Sequence, residues 1–479
     1  MVFNSLQFAI FFVVVYSLYL VLDHRAQNQM LLVASYIFYG AWDWRFLGLL
    51  FVTTLIDYLV ALKIHATQDT GKRKFLLLIS LISNLAILGF FKYFNFFTSS
   101  LHELLSVFGM PLSIRTLHIV LPVGISFYVF QSLSYTIDVY RRKLEPTKFF
   151  FDFALFVAYF PQLVAGPIER ATHLLPQILK PRRFSLGQFY EGSYLIFWGL
   201  FQKVFVADNL AAIVNPVFAA SPPYDGAKVL LALYAFAFQI YCDFAGYSNM
   251  ARGLGKCMGF DIMVNFNLPY FAANPREFWQ RWHISLSQWL RDYLYVPLGG
   301  NRKGKFRTYL NMALTMLLAG LWHGAASTYV LWGAYHGALL IGHRFLEDLF
   351  PKRTDVVFSG SVLIQNIWHG LKVIFFFHLV CLGWLLFRAR SLGQASQMFH
   401  ALFFNFKPVE GAGLLLITQG VAFYCGLLWL IQAVQYLRGD LMTVTHWKPF
   451  SRAVFYFACI YFLFIYGVTG GQEFIYFQF

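Results

Sequence analysis

Charge is what this chain has least of. Only 12% of its 479 residues are Asp, Glu, Lys or Arg, against 59% hydrophobic, where a soluble globular chain carries about 25% charged residues. Half the usual charge cannot cover a water-facing surface, so most of the exterior must face lipid. Cysteine is sparse too: Cys242, Cys257, Cys381, Cys425 and Cys459 are scattered, odd in number and form no CxxC pair. They read as apolar packing residues, not as a disulfide frame or a metal site. No HExxH and no ligand-spaced His/Cys/carboxylate set occurs, so no metal is expected. GLGKCMG, from Gly253 to Gly259, lacks the Lys-Ser/Thr ending and the preceding strand of a phosphate loop, and is set aside. No linker, low-complexity tract or fixed-period repeat is visible. One membrane-embedded domain over residues 1–479 is therefore expected, with no soluble module.

What is present fits a polytopic helical bundle around a central cavity. Apolar stretches of roughly 17–25 residues, long enough to span, begin near Leu6, Phe46, Phe75, Ile119, Phe149, Tyr194, Val229, Tyr309, Tyr329, Leu363, Gly413 and Val454. Shorter or mixed pieces (Met30–Trp44, Leu101–Ser113, Asn274–Leu298) read as half-buried, re-entrant or interfacial, which gives about ten to thirteen membrane segments in all. The 56 Phe, 28 Tyr and 12 Trp suit interfacial aromatic belts. Met1 leads into an apolar run with no basic n-region or cleavage site, so a retained first span is expected.

The net charge of +15 does not imply nucleic acid. Lys and Arg pool in short loops, as orientation by basic cytoplasmic loops requires. Arg25, the Lys63–Lys74 loop, Arg141–Lys148, Lys180–Arg183 and the cluster of Arg302, Lys303, Lys305 and Arg307 supply them. With these inside, the N-terminus is predicted outside.

Ionisable groups inside hydrocarbon cost about 2.5–3.5 kcal/mol on insertion scales, so those that remain tend to face a cavity or a partner. They gather in three stretches. Tyr241–Gly253 reads YCDFAGYSNMARG and carries Asp243, Ser248, Asn249 and Arg252 on an apolar helix. Asn249 and Arg252 share one helical face, Asp243 and Tyr247 another. Asn274–Asn301 reads NPREFWQRWHISLSQWLRDYLYVPLGGN. Asn274 suits a cap with Pro275 in the first turn, and Glu277 and Arg281 form an i,i+4 pair. Met316–Gly337 reads MLLAGLWHGAASTYVLWGAYHG and places His323 beside Trp322, followed by small residues. His336 would sit well off the His323 face of one straight helix. Either the helix breaks near Gly324–Ser327 or the two imidazoles do different things. His336 reads as structural, His369 and His378 as hydrogen bonding across helices, and His343 as interfacial.

These stretches, with PVGISFYVFQSLSYTIDVYR from Pro122, FPQLVAGPIER from Phe160 and the terminal FIYFQF, resemble the membrane-bound O-acyltransferase superfamily. The match is to its bacterial alginate O-acetyltransferase branch, and it covers nearly the whole chain. The resemblance implies an enzyme of the bacterial inner membrane that passes acetyl groups to hydroxyls of an exported polysaccharide. It implies acetyl-CoA or an acyl carrier as cytoplasmic donor, no tightly bound cofactor, and an extracytoplasmic acetyltransferase partner. The essential histidine falls on His323 and the second motif histidine on His283. Asp243, Tyr247, Asn249 and Trp322 are then expected along the substrate cavity, though Asp243, Tyr247 and Asn249 equally suit interhelix contacts. The acceptor glycan is left open, since members serve alginate, cellulose and peptidoglycan, and a sister branch moves D-alanine towards teichoic acids. Whether acetyl passes directly or through a covalent intermediate is also open.

The chemistry agrees. A sugar hydroxyl is a poor nucleophile until its proton is taken, and an imidazole with an ordinary pKa of about 6.5 suits that task. A base at mid-depth can be reached by a donor from one face and an acceptor from the other. A transporter would share the buried polar groups, but no similarity between the two halves of the chain is visible. A non-enzymatic scaffold would leave His323 replaceable.

Overall fold

The computed structural model describes the chain except residues 111–116, 118, 351–361, 407–411, 469, 471–473 and 476–479. The end of the expected Leu101–Ser113 piece and all of FIYFQF but Phe474 and Ile475 thus lie outside the described residues. Helices and turns make up the rest, with no strand among the described residues. In chain order the helices are α1 Leu6–Val21, α2 His24–Asp43, α3 Leu47–Ala66, α4 Thr70–Leu88, α5 Phe94–Val107, α6 Ile125–Tyr140, α7 Phe150–Ala158, α8 Phe160–Leu163, α9 Ala171–Leu179 and α10 Leu186–Leu200. There follow α11 Asp208–Ala219, α12 Gly226–Cys257, α13 Pro275–Arg281, α14 Ile284–Leu290, α15 Gly304–His323, α16 Ser327–Leu349, α17 Val362–Arg388, α18 Leu392–Phe404, α19 Ala412–Arg438 and α20 Pro449–Tyr466.

Local chemistry sets several of the starts. Ser5 caps α1 by accepting the Phe8 N–H, and Asp23 caps α2 by accepting that of Ala26. Among the described residues, seven continuous helical stretches are long and apolar enough to cross a bilayer, including His24–Ala66, Gly226–Cys257 and Val362–Arg388. Helices α15 and α16, with 20 and 23 residues, reach the roughly 30 Å of a hydrocarbon core at 1.5 Å per residue. Leu371, Ile374 and Phe375 on α17 and Phe457 and Phe464 on α20 are bare apolar side chains. Lipid covers such a surface at no cost.

The chain divides into two compact units, residues 1–197 with 247–263, and residues 198–246 with 264–479. Helix α12 contributes its first part to the second unit and its last part to the first.

In the first unit a buried carboxylate joins three helices. Asp57 on α3 accepts Ser80 Oγ at 2.5 Å and Asn84 Nδ2 at 3.0 Å, both from α4, and Ser132 Oγ from α6. No cation pairs with it among the described residues. A second carboxylate, Glu169, accepts the Met263 N–H at 2.6 Å and the His173 Nδ1 at 2.8 Å.

The second unit is built on a helical hairpin. Helices α15 and α16 touch backbone to backbone. A Cβ on Gly320 would lie 2.2 Å from the Tyr329 carbonyl oxygen, and one on Gly333 would lie 2.3 Å from that of Met316. Only glycine permits that approach.

Candidate active site

His323 is the last residue of α15. Gly324 leaves the helix in an extended conformation and α16 starts at Ser327, so the helix breaks where the small residues stand. Gly324 is obligatory there, because a Cβ would lie 2.2 Å from the Tyr329 ring. The buried His323 ring sits in an aromatic layer, 5.0 Å from Trp322, 5.0 Å from Trp332 and 5.4 Å from Phe387 by centroid. Across the break, His336 lies 4.8 Å from Trp332. The two imidazoles thus flank one indole. His378 and His369 bond across helices, as their positions predict, to the hydroxyls of Tyr234 at 2.7 Å and Tyr436 at 3.0 Å.

His283 arrives from a different element. It joins α13 to α14 with φ 42° and ψ 54°, the left-handed region that side-chain-bearing residues seldom adopt. Asn274 caps α13 by accepting the Glu277 N–H, with Pro275 in the first turn. The left-handed residue then turns the chain and buries the ring completely. His283 Nδ1 lies 3.2 Å from Asn265 Oδ1, which also accepts the Ser285 N–H at 3.2 Å and its Oγ–H at 2.9 Å. A backbone donor fixes that oxygen as acceptor, so Nδ1 carries the ring proton and Nε2 holds the lone pair. His283 lies outside the seven candidate spans, and burial alone pulls its pKa down to about 3. It is a buried imidazole that hydrogen-bonds through Nδ1. His283 lies 6.4 Å from His323 and 5.8 Å from Trp322 by centroid.

Asp243 belongs to the same unit and is engaged on both oxygens. Lys203 Nζ stands 2.6 Å from Oδ1, and the Ile475 N–H donates to Oδ2 at 2.7 Å. Lys203 also meets Asp208 at 2.8 Å. A π turn over Phe201–Ala207 makes this possible. Residues five apart diverge by about 140° on an α-helix but align on the wider turn, where the Asp208 N–H reaches the Lys203 carbonyl. Gly246 brings α12 against this turn, since a Cβ there would lie 2.7 Å from the Gly199 oxygen. Lys203 and Asp208 belong to no motif in the sequence, although a lysine inside an apolar run is itself a signal. Tyr247 and Asn249 fall in the other unit. There the Tyr247 ring stacks on Phe3 at 4.3 Å, and Asn249 Oδ1 accepts Arg252 at 3.4 Å.

A cavity of about 290 Å³ runs between α14, α15 and α16. Its walls include Leu286, Leu290, Met316 and Ala319, and Arg276, Arg291 and Arg344 also line it. Ala319 lies one turn before His323 on α15. Trp279, in the same wall, lies 5.8 Å from Trp332, which in turn touches His323. Arg276 pairs with Glu347 and Arg291 with Asp292, whereas Arg344 has no carboxylate partner among the described residues. A second cavity of about 1150 Å³ shares Arg276 and His343 with the first and adds Arg281 and Lys372.

The long apolar helices with bare apolar faces are those of a multi-pass membrane protein. The profile of the membrane-bound O-acyltransferase family matches residues 147–386, and the chain belongs to that family and is an acyltransferase. It is 47% identical to a "Probable alginate O-acetylase" of Pseudomonas putida over 84% of this chain and 80% of that one. It is 35% identical to a peptidoglycan O-acetyltransferase of Helicobacter pylori over 79% of this chain and 75% of the relative. A teichoic acid D-alanyltransferase of Bacillus subtilis is 28% identical over 56% of this chain and 69% of its own. The alginate O-acetyltransferase-like branch is therefore the one to which the chain belongs.

Proposed function

We propose that the chain is an inner-membrane O-acetyltransferase that passes acetyl groups from acetyl-CoA, or an acyl carrier, towards the hydroxyls of an exported polysaccharide such as alginate, with an extracytoplasmic partner completing the transfer. The observation that carries this reading is the placement of His323 one helical turn beyond a cavity with an apolar wall and a cationic lining. The apolar wall suits a thioester arm, and Arg276, Arg291 and Arg344 suit its phosphates. His323 takes the proton of the attacking hydroxyl as its oxygen adds to the thioester carbonyl. Collapse of the adduct breaks the C–S bond, and the proton passes to the leaving thiolate. His283, donating from Nδ1 to Asn265, serves as an orienting partner. Acetyl rather than D-alanyl transfer is favoured by the higher identity and wider coverage of the acetylating relatives.

Labelled acetyl-CoA supplied to the purified protein in liposomes, with partner and glycan present, tests this directly. His323→Ala should lower transfer by about 10²–10⁴-fold, the range typical of a lost general base, at unchanged folded yield. Full activity in that variant would make His323 a packing residue. No transfer by the wild type would turn attention to a scaffold or transporter.

A further inference from the structure

Asp243 and Phe244 are neighbours on α12, and each holds one of two adjacent residues. Asp243 Oδ2 takes the backbone N–H of Ile475, and the Phe244 ring meets the Phe474 ring edge-on at 5.8 Å. Phe244 also meets His283 edge-on, at 4.7 Å. One ring thus touches both the Phe474 side chain and the imidazole. The anchor behind it is buried and ionic: Lys203 grips Asp243 Oδ1 and Asp208, so the free rotation of the Asp243 carboxylate is removed and Oδ2 is aimed at the Ile475 amide. A carboxylate held on one oxygen by a buried charged partner is a fixed acceptor for the other. His283 has little freedom of its own to compensate, because its left-handed backbone and its bond to Asn265 tie it to the α13–α14 junction.

We propose that Lys203, Asp208 and Asp243 are positioning residues for His283. The buried ion triad seats the Phe474–Ile475 segment, and that segment backs the Phe244 ring that sets the imidazole. This rests on the reading that His283 belongs to the active site. It differs from a packing role in what it demands: loss of the backing ring should slow turnover per folded molecule and leave donor binding alone.

Two measurements test it on the full-length protein. In the liposome transfer assay, Phe474→Ala should lower kcat by about tenfold or more with the KM for acetyl-CoA within about twofold. Phe474→Leu should restore much of the loss. Asp243→Ala combined with Phe474→Ala should be no slower than Asp243→Ala alone, since both cut one path. In protein carrying ¹³C-labelled histidine, with the His283 resonance assigned by its absence in His283→Asn, Phe474→Ala should shift that resonance. Losses that multiply in the double variant, or that follow folded yield by size exclusion, overturn the proposal. A His283 resonance unmoved by Phe474→Ala also overturns it. If the wild type transfers no acetyl group, the acetyl-transfer reading falls, and the resonance alone decides the positioning.

Discussion

Each unit buries a carboxylate among apolar helices, and the two are satisfied by opposite means. Asp57 is surrounded by neutral donors, hydroxyls from Ser80 and Ser132 and an amide from Asn84. Asp243 faces an ammonium that it shares with Asp208, and it takes a backbone N–H from a segment 232 residues away. The first arrangement holds the carboxyl with neutral donors alone, so it acts as a staple between α3, α4 and α6. The second depends on three formal charges standing together, and removal of any one exposes the others to a medium that penalises them. Staples tolerate isosteric exchange, and charge clusters do not.

The largest effect should come from breaking the cluster. Lys203→Met leaves Asp208 and Asp243 facing each other without a cation, and should destabilise the second unit by about 3–5 kcal/mol, the cost of stripping a partner from a buried pair. Thermal unfolding in detergent would register it. Adding Asp208→Asn and Asp243→Asn to that variant should recover much of the loss. A single variant as stable as wild type would mean that the three charges are not coupled.

The staple should respond more gently. Asp57→Ala strands its buried donors and should cost about 1–3 kcal/mol, with acetyl transfer per folded molecule unchanged. Asp57→Asn, which keeps an acceptor oxygen in place, should cost clearly less in the same assay. Equal losses would show that charge matters at Asp57 as it does at Asp243, and the contrast between the units would collapse.

Glu169 falls between the two cases, because its partner titrates. Its hydrogen bond to His173 raises the imidazole pKa above the ordinary 6.5, against an opposing effect of burial. A group raised on folding stabilises fully below its unfolded pKa, and that contribution is lost as pH rises through the folded value. The unfolding temperature should therefore exceed that of His173→Asn most at about pH 5.5, with the gap closing towards about pH 8.5. His173 is half exposed, so this is the smallest of the three effects. A gap that widens with pH would show that the pair is not ionic.

Much of the site can be read from sequence for reasons that are local. The break after His323 follows from four small residues in a row, and the start of α13 follows from an Asn-Pro pair. Interhelix bonds at His369 and His378 follow from imidazoles in apolar runs. Features that depend on tertiary packing escape. Lys203 and Asp208 align only because a π turn intervenes, and helical spacing alone sets them on different faces. Nothing near His283 announces a left-handed residue, since glycine and asparagine are the usual markers. Asp243, legible as a buried acid, proves to be engaged by Lys203 and Ile475, partners that lie far from it along the chain. The cavities need side chains from separate helices to enclose them, which no single stretch records.

The backbone at position 283 carries a lesson for how variants there are to be compared. A Cβ at φ 42° meets a steric objection, which alanine meets in full, asparagine tolerates and glycine escapes. A His283→Ala protein therefore changes two things at once, a ring and a turn. Saturation substitution should rank asparagine and glycine above every other replacement for folded yield, whatever their turnover. The gap between asparagine and alanine measures the turn, and the gap between histidine and asparagine measures the imidazole.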